Sequence, residues 1–384
     1  MRKLIVITLS GLFLFSLTGC WNKAELIEYS FVQAVAIDLS DKGRVELTTL
    51  FYKPSGAGGM TKQSSLKSAF TIKTEGENVF DAIRDITIHL GRKAKWDHMR
   101  VILVSEEVIQ KMDLGVVLDL FRRDHEPRPT NSLIITKGKS ENFLHMHPFI
   151  EYTMGQQLHS ADEGSYNFTG KTLKATILDA HIQMKSETGI ATVPYLSLDK
   201  IHGNVPSVAG VVLIEKGKLA EIISPKEIKA ILMLKRKFKG SIITTACEGN
   251  ESVKGLKESF EVFQETTDLR TTIKNNEITV DVTTKLKGAA GELNCSALST
   301  GAEEQAYEER VIQEVKKELL TLIRHLQASK LDAIGIGDKV FAKNPRLWME
   351  WKEDWGDRFA DIGFNIHVEV TVTNTGMSSM PLAN

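Results

Sequence analysis

The first twenty residues constrain this chain more than any other segment, because they decide in which compartment it folds. Met1, Arg2 and Lys3 are followed by an apolar run from Leu4 to Leu17. A basic start, a short apolar core and small residues before a cleavage point are typical of a secretory signal peptide. The run of roughly 14 residues is too short for a transmembrane helix, which needs roughly 20. We therefore predict that residues 1–19 direct export and are then removed.

Cys20 stands directly after the predicted cleavage point, in the sequence Leu17-Thr18-Gly19-Cys20. Leucine three positions before the cut and glycine one position before it fit the lipobox of bacterial lipoproteins. Such proteins need a thiol at the first mature position, because it carries a thioether-linked diacylglyceryl group. We predict lipidation of Cys20 and attachment to the outer face of a membrane by two acyl chains. A plain signal peptide followed by a chance cysteine is the alternative.

Composition and charge exclude some classes of protein. Removal of the signal peptide takes away Arg2 and Lys3 and changes the formal net charge from −1 to −3. A nearly neutral protein has no basic excess with which to neutralise the phosphates of a nucleic acid. The 42% hydrophobic and 25% charged residues are ordinary for a globular protein. The mature length of about 365 residues predicts two or three domains.

Strand-like and helix-like segments alternate in the first half of the chain, which favours an α/β arrangement with helices covering a sheet. Strand patterns occur at 31–39, 45–52, 68–74, 99–104 and 133–136, and helical spacing at 79–90 and 114–121. Residues 141–188 are predicted to form two further helices, joined near residues 164–166.

The second half has a different order of elements. Ser224, Pro225 and Glu227 predict the start of a helix, as N-cap, first helical residue and N3 acid. An antiparallel meander, a long helix with an apolar stripe, a shorter helix and a final strand are then predicted. The meander covers 241–247, 256–269 and 277–287, and the later elements cover 302–328, 345–359 and 364–372.

These patterns predict a mixed α/β and α+β fold with several domains. The N-terminal sheet is covered by helices, and the C-terminal antiparallel sheet packs against the long helix. After the signal peptide, we predict an N-terminal domain at 20–205, a C-terminal domain at 206–376 and a tail at 377–384. The segment at about 190–225 is an alternative small domain of its own.

No residue pattern indicates catalysis, a cofactor or a metal ion. The glycine-rich stretch at 54–59 is followed by a strand pattern, whereas a phosphate loop needs a helix there. His145 and His147 lack a third ligand and would not share a helical face. We therefore predict a chain that is not an enzyme, with no catalytic, cofactor-binding or metal-binding residues.

Two clusters of side chains have both a structural and a functional interpretation. Trp348, Trp351, Trp355 and Phe359 fall on one helical face, which favours core packing over a surface for a partner. The charged run at 122–128 is either a solvated loop or a polar docking site.

Cys247 ends the first strand of the predicted meander, and Cys295 lies beyond the third. The ends of these two strands lie at the same edge of the sheet. That proximity and an oxidising exterior permit a disulfide. Two separate buried thiols are the favoured interpretation.

The chain resembles the Ger(x)C lipoproteins, the C subunits of spore germinant receptors, over nearly its whole mature length. The resemblance rests on the order of many short matches rather than on any one of them. The matching residues are Cys20-Trp21, 35–38, 97–101 with Ser105, Arg123-Asp124 with Glu126, 209–213, 217–219, Asp332, Gly335, Gly337, Pro345, Trp348, Trp355 and Phe359. Ala36 before Ile37-Asp38 departs from the family, in which many members have a glycine before the aspartate.

The resemblance implies a noncatalytic, lipid-anchored subunit on the spore inner membrane. It also implies two membrane-embedded partners, the A and B subunits of a nutrient germinant receptor. A lipid-anchored extracytoplasmic solute-binding protein is the alternative. Such a protein would show two similar α/β lobes around a cleft, whereas the two halves predicted here have different orders of elements.

Overall fold

The structure is a computed structural model that describes Met1 and residues 25–53, 68–247 and 255–374. Cys20, the glycine-rich stretch at 54–59 and the predicted tail at 377–384 lie outside the described residues.

Nine described strands form one sheet in the first half of the chain. They are β1 (Tyr29–Leu39), β2 (Val45–Tyr52), β3 (Ala69–Gly76), β4 (Lys93–Lys95), β5 (Val101–Ser105), β6 (Ser132–Thr136), β7 (Ile190–Asp199), β8 (Val205–Glu215) and β9 (Lys218–Ile223). The order along the sheet is β3-β2-β1-β5-β6-β7-β8-β9, and β4 pairs with the beginning of β1. The central strands β1, β5, β6 and β7 are parallel, with antiparallel strands on both sides.

Helices cover both faces of this sheet, so its central strands are apolar along their whole length. One face carries Ile37, Ile102 and Leu133, and the opposite face carries Ala36 and Leu103. The helices over the first face are α1 (Val79–Leu90), α2 (Glu106–Lys111), α3 (Leu114–Val117), α4 (Asp119–Arg123) and α7 (Ile177–Met184), and those over the second are α5 (Glu141–Leu144) and α6 (Met154–Thr169). The predicted α/β arrangement of the first half is confirmed.

The second half contains a sheet of four described strands, β10 (Ser241–Ala246), β11 (Lys257–Lys274), β12 (Glu277–Ala290) and β13 (Gly363–Asn374). The first three are antiparallel, which confirms the meander. β13 pairs in parallel with β12. A parallel neighbour is possible because a long helical connection carries the chain back to the beginning of β12. This connection contains α9 (Gly301–Ala328), α10 (Ile336–Lys343), α11 (Pro345–Trp351) and α12 (Trp355–Ala360). The mixed fold class is confirmed.

The long helix α9 packs along the second sheet through one apolar stripe. Thr300 and Glu303 form a capping box at its start, which satisfies amide groups that the helix leaves unpaired. Its 28 residues span roughly 42 Å. The predicted stripe is confirmed, because Val311, Val315 and Leu319 are fully buried.

Two predicted features of the helices are wrong. No break occurs near residues 164–166, because α6 runs without interruption from its Thr153 cap to Gly170, whose φ of 61° ends it. The helix expected at Pro225 begins three residues later, as α8 (Ile228–Leu234). The Ser224 hydroxyl donates to Glu227 Oε2 at 2.8 Å and therefore does not cap the helix backbone.

The first sheet continues past the predicted domain division at residues 205 and 206. β8 begins at Val205 and pairs with β7, and β9 extends the same sheet to Ile223. The segment at 190–225 is therefore hydrogen-bonded to the N-terminal sheet. The division into folding units at 205 and 206 remains a prediction.

Cys247 and Cys295 are joined by a disulfide, with Cα atoms 5.9 Å apart. The preference for two separate buried thiols was therefore wrong, and both residues are only half-buried. The predicted proximity is confirmed, because β11 reverses the chain and brings the ends of β10 and β12 together. Glu258 fixes the second cysteine by accepting hydrogen bonds from the backbone amides of Cys295 and Ser296 at 3.0 and 2.7 Å.

We expect Cys295→Ser to lower the free energy of unfolding by about 2–4 kcal/mol, because the disulfide closes a loop with a sequence separation of 48 residues. Chemical denaturation of the oxidised wild type and of the variant measures this difference. The reduced wild type is the control and should match the variant. Equal stability of the oxidised wild type and the variant would contradict a stabilising bond.

Candidate functional site

A groove of about 1140 Å³ lies where the two halves of the chain meet. The N-terminal half contributes Tyr195 to its lining. The C-terminal half contributes Lys229, Ile242 and Glu318. Lys229 Nζ lies 2.7 Å from Glu318 Oε1. Burial raises the pKa of Glu318, and the Lys229 ammonium opposes that rise. The groove is therefore lined by groups of both charges, some of which already pair with each other.

His325, near the end of α9, connects the long helix to the first sheet. Its Nδ1 lies 2.6 Å from Glu227 Oε1, and its Nε2 lies 2.7 Å from Glu221 Oε1. Burial disfavours the protonated ring, but the hydrogen bonds to the two carboxylates outweigh it and raise the pKa of His325. The protonated ring can donate to both carboxylates at once, so this contact is strongest when His325 is charged.

A buried carboxylate, that of Asp332, organises the loop after α9. It accepts hydrogen bonds from the backbone amides of Ile336 and Gly337 at 3.0 and 2.6 Å, and from Trp355 Nε1 at 3.1 Å. Asp332 is only 1% exposed. Burial raises the pKa of its carboxyl, whereas the three donors lower it. These donors satisfy a group that would otherwise be costly to bury, and they tie α10 and α12 to one point.

Trp348 and Trp355 form an edge-to-face pair beside Asp332, with ring centroids 5.0 Å apart. A Cβ atom on Gly337 would lie 2.7 Å from the Trp348 ring, so only glycine permits this approach. All four aromatic residues of the predicted stripe are buried, with at most 7% exposure. The prediction of core packing is confirmed.

The cluster around Trp348 also forms hydrogen bonds to the N-terminal half of the chain. Trp348 Nε1 donates to Glu187 Oε2 at 2.6 Å, and Asp338 accepts from the backbone amide of Glu187 at 2.8 Å and from the Thr188 hydroxyl at 3.0 Å. We call this set of contacts between 187–188 and 332–355 the tryptophan junction. It fixes the loop before β7 against α10 and α11.

Asp38, one of the residues on which the resemblance rests, has a structural role in the first half. Its carboxylate accepts from the backbone amides of Ser140 and Glu141 at 2.8 and 3.0 Å, at the start of α5. Burial raises the pKa of Asp38, and these two hydrogen bonds oppose the rise. Asp38 therefore attaches α5 to the end of β1.

The charged run at 122–128 divides into two parts. Arg122 and Arg123 are exposed and pair with Asp119 at 2.8 and 2.7 Å. The Glu126 side chain is only 9% exposed, and it accepts from the backbone amide of Trp96 at 3.3 Å. The run is thus solvated at its start and packed at Glu126.

Within the described residues, one group of three side chains has the spacing of a metal site, Cys247, Glu258 and Cys295. Its two sulfur atoms are bonded to each other. His145 Nε2 instead contacts the Thr71 hydroxyl at 3.2 Å. Among the described residues, no helix is both long enough and apolar enough to cross a membrane.

Comparison with known proteins identifies the relatives of this fold. The model for the spore germination protein N-terminal domain matches residues 22–198, and the model for the spore germination B3/GerAC like C-terminal domain matches residues 209–376. The chain belongs to the Ger(x)C family. The two Ger(x)C models together cover both halves of the molecule, on either side of the tryptophan junction.

Ger(x)C relatives in Bacillus subtilis (strain 168) match along almost their whole length. Spore germination protein KC is 22% identical and covers 99% of this chain and 98% of its own, and spore germination protein A3 is 22% identical over 92% and 94%. The crystal structure of the GerBC protein has a TM-score of 0.56 at 18% identity, covering 88% of this chain and 97% of that one. This structural match supports the fold.

Several residues of the groove and the junction escaped sequence analysis. Glu187 and Thr188 contact side chains that lie about 150 residues away, and His325 contacts glutamates about 100 residues away. The residues that neighbour Glu187, Thr188 and His325 in the sequence form no pattern that predicts these contacts. Gly337 had been named only as a match to the family, and the structure shows that it permits the close approach of the Trp348 ring.

We expect Trp355→Ala to lower the free energy of unfolding by about 3–5 kcal/mol, because it removes a buried ring and a donor to Asp332. Trp355→Phe keeps a ring and should cost less. Met349→Ala, an exposed position of α11, is the control. Denaturant unfolding measures all three. An unchanged stability of Trp355→Ala would show that the ring is not a core residue.

We expect His325→Gln to destabilise the protein by about 1 kcal/mol at pH 6 and by less at pH 9. The raised pKa means that the folded state favours the protonated ring. The stabilisation of the folded state by His325 is therefore complete below the pKa of the unfolded state, about 6.5. It is lost as the pH rises through the pKa of the folded state. Thermal unfolding across this range tests the sign, with the exposed His89→Gln as control. A deficit that is equal at both pH values would contradict it.

Proposed function

We propose that this chain is a noncatalytic, lipid-anchored subunit of a spore nutrient germinant receptor, acting with two membrane-embedded subunits. The observation that carries the proposal is the match of both halves to spore germination domains, at residues 22–198 and 209–376. Relatives that match nearly end to end are named as spore germination proteins. The names of these relatives support a role in germination. The lipid anchor and the two membrane-embedded partners are further parts of the proposal.

A solute-binding protein fits the architecture less well. Two similar lobes around a cleft are expected of that class. The described residues instead form a nine-stranded mixed sheet with helices on both faces in one half, and a four-stranded sheet packed on one long helix in the other. The groove between them contains the ion pair of Lys229 with Glu318. A binding or coupling subunit requires no symmetry between its halves.

A noncatalytic role agrees with the chemistry of the buried carboxylates. Asp38 and Asp332 both match the family, and both direct their oxygen atoms to backbone amides. Carboxylates whose oxygen atoms accept hydrogen bonds from backbone amides position the chain. We therefore assign them to the scaffold.

The proposed anchor is a diacylglyceryl group on Cys20. β1 begins at Tyr29, about nine residues later, and an extended chain of that length spans at most roughly 30 Å. A lipid at Cys20 would therefore keep the first sheet close to the spore inner membrane. Two acyl chains suffice for stable attachment, because each buried methylene contributes about 0.8 kcal/mol.

The partners follow from the same proposal. A tether raises the local concentration of this subunit beside the A and B subunits without any new contact. A tagged chain, purified in mild detergent from spore membranes, should retain both subunits. Recovery of the chain without either subunit, at a tag position that preserves germination, would count against the complex.

The anchor is tested with Cys20→Ala, and Asn22→Ala is the matched control. We expect the alanine variant to fold, to incorporate no labelled palmitate and to leave washed membranes, because residue 20 is the first residue of the proposed mature chain. Fractionation is done in cells that lack the A and B subunits, since partner contacts could retain the variant. Germination should weaken as the tether is lost. Firm membrane retention of Cys20→Ala in those cells would overturn the anchor.

A further inference from the structure

A small polar pocket of about 170 Å³ opens at the amino ends of β5 and β6. Arg100 directly precedes β5 and Asn131 directly precedes β6, and Val101 pairs with Ser132 in the parallel register. The two residues therefore lie side by side at one edge of the first sheet. Arg128 and His159 also line the pocket.

Two guanidinium groups in this pocket make no close ion pair or hydrogen bond among the described residues, and Arg100 interacts with the Glu163 carboxylate only at longer range. The side chains of Arg100 and Arg128 are exposed, and neither makes an ion pair or a hydrogen bond to any residue within 25–53, 68–247 or 255–374. Arg44 and Arg358, by contrast, pair with glutamate or aspartate. A guanidinium presents a planar set of donors that matches the oxygen atoms of phosphate. These two groups are therefore available for an anion.

Asn131 adds a buried donor. The residue lines the pocket and is only 5% exposed, and its Nδ2 has no hydrogen-bond partner among the described residues. Buried polar atoms are rarely left unpaired in folded proteins. An acceptor in the pocket would satisfy this buried amide once the Asn131 side chain turns toward it.

We propose that this pocket binds a phosphate group, with Arg100, Arg128 and Asn131 as donors. The unprotonated oxygen atoms of a phosphate group accept hydrogen bonds, and these three side chains supply donors from two neighbouring strand ends and the loop between them. A water molecule occupies about 30 Å³ in the liquid, so the pocket admits a group a few times that size.

Asp97 narrows the class of phosphate. Its carboxylate also lines the pocket, 4.0 Å from His98 Nε2, and its Oδ1 has no hydrogen-bond partner within the described part of the chain. A carboxylate repels a dianion more than a monoanion, and it accepts a hydrogen bond from a hydroxyl or ammonium group. The pocket therefore favours a phosphodiester with a polar substituent, the chemistry of a glycerophospholipid headgroup.

The position of the pocket agrees with a lipid source. The rings of His98 and Phe31 meet at 5.0 Å, so the pocket lies beside the start of β1. Phe31 follows Cys20 by about 11 residues, which span at most roughly 40 Å. The lipid source thus rests on the proposed anchor, whereas the phosphate chemistry does not.

Binding is tested with the full mature chain carrying Cys20→Ala, so that no acyl chain contributes. The probes are phosphatidylglycerol vesicles in a flotation assay, and sodium phosphate in a thermal-shift assay against sodium chloride at equal ionic strength. We expect Arg100→Gln with Arg128→Gln to weaken vesicle binding about tenfold or more, and the neutral change Asn131→Ala to weaken it severalfold. Stabilisation by sodium phosphate without vesicle binding, lost in the same variants, would support the site with free phosphate as its source.

Arg92→Gln is the matched control, because Arg92 is exposed, directly precedes β4 and does not line the pocket. A general attraction between basic residues and an anionic surface would make this variant as weak as Arg100→Gln and leave Asn131→Ala unchanged. That result overturns the proposal. It is also overturned if the chain with Cys20→Ala alone neither binds the vesicles nor is stabilised by sodium phosphate. If Asn131→Ala does not fold, the comparison of Arg100→Gln with Arg92→Gln decides. The proposed anchor is tested separately, by lipid incorporation at Cys20, so that failure of the anchor and failure of the phosphate site can be distinguished.

Discussion

β1 pairs with three strands, and the architecture of the first half follows from that pairing. It joins β2 on one side and both β4 and β5 on the other, and the pairing with β5 is parallel. Parallel neighbours need crossover connections, and the helices of these connections cover the sheet. The amino ends of β1, β5 and β6 then meet at one edge, where the polar pocket lies. The carboxyl end of β1 places Asp38 at the opposite edge, where it holds α5.

The tryptophan junction makes the second half dependent on the first. Asp332 is buried with three N–H donors, and the indole of one of them packs against Trp348, which reaches Glu187 in the other half. Removal of one member would leave another buried group without its partner, which costs more than the loss of a surface contact. A polar, fully paired contact of this kind specifies one relative position of the two halves.

Sequence patterns predicted the elements that depend on local periodicity. The stripe of α9, the meander and the buried central strands follow from spacing alone, and α1 was placed at its observed bounds. The errors occurred where a tertiary contact decided the outcome. Gly164 and Ser165 sit within α6 because Thr153 and Gly170 set its ends, and Ser224 bonds to a side chain rather than to the helix. The contacts of His325 and Glu187 depend on residues that are distant in the chain, so no local pattern could predict them.

The disulfide between Cys247 and Cys295 has a consequence for timing. A bond of this kind forms in an oxidising environment and not in the bacterial cytoplasm. If the chain is exported as proposed, its second half leaves the ribosome without this cross-link and gains it only on the far side of the membrane. On that proposal, the chain without the cross-link is the form that crosses the membrane, and the cross-linked chain is the form that persists outside. The oxidation state of Cys247 and Cys295 would then distinguish chains that have crossed the membrane from chains that have not.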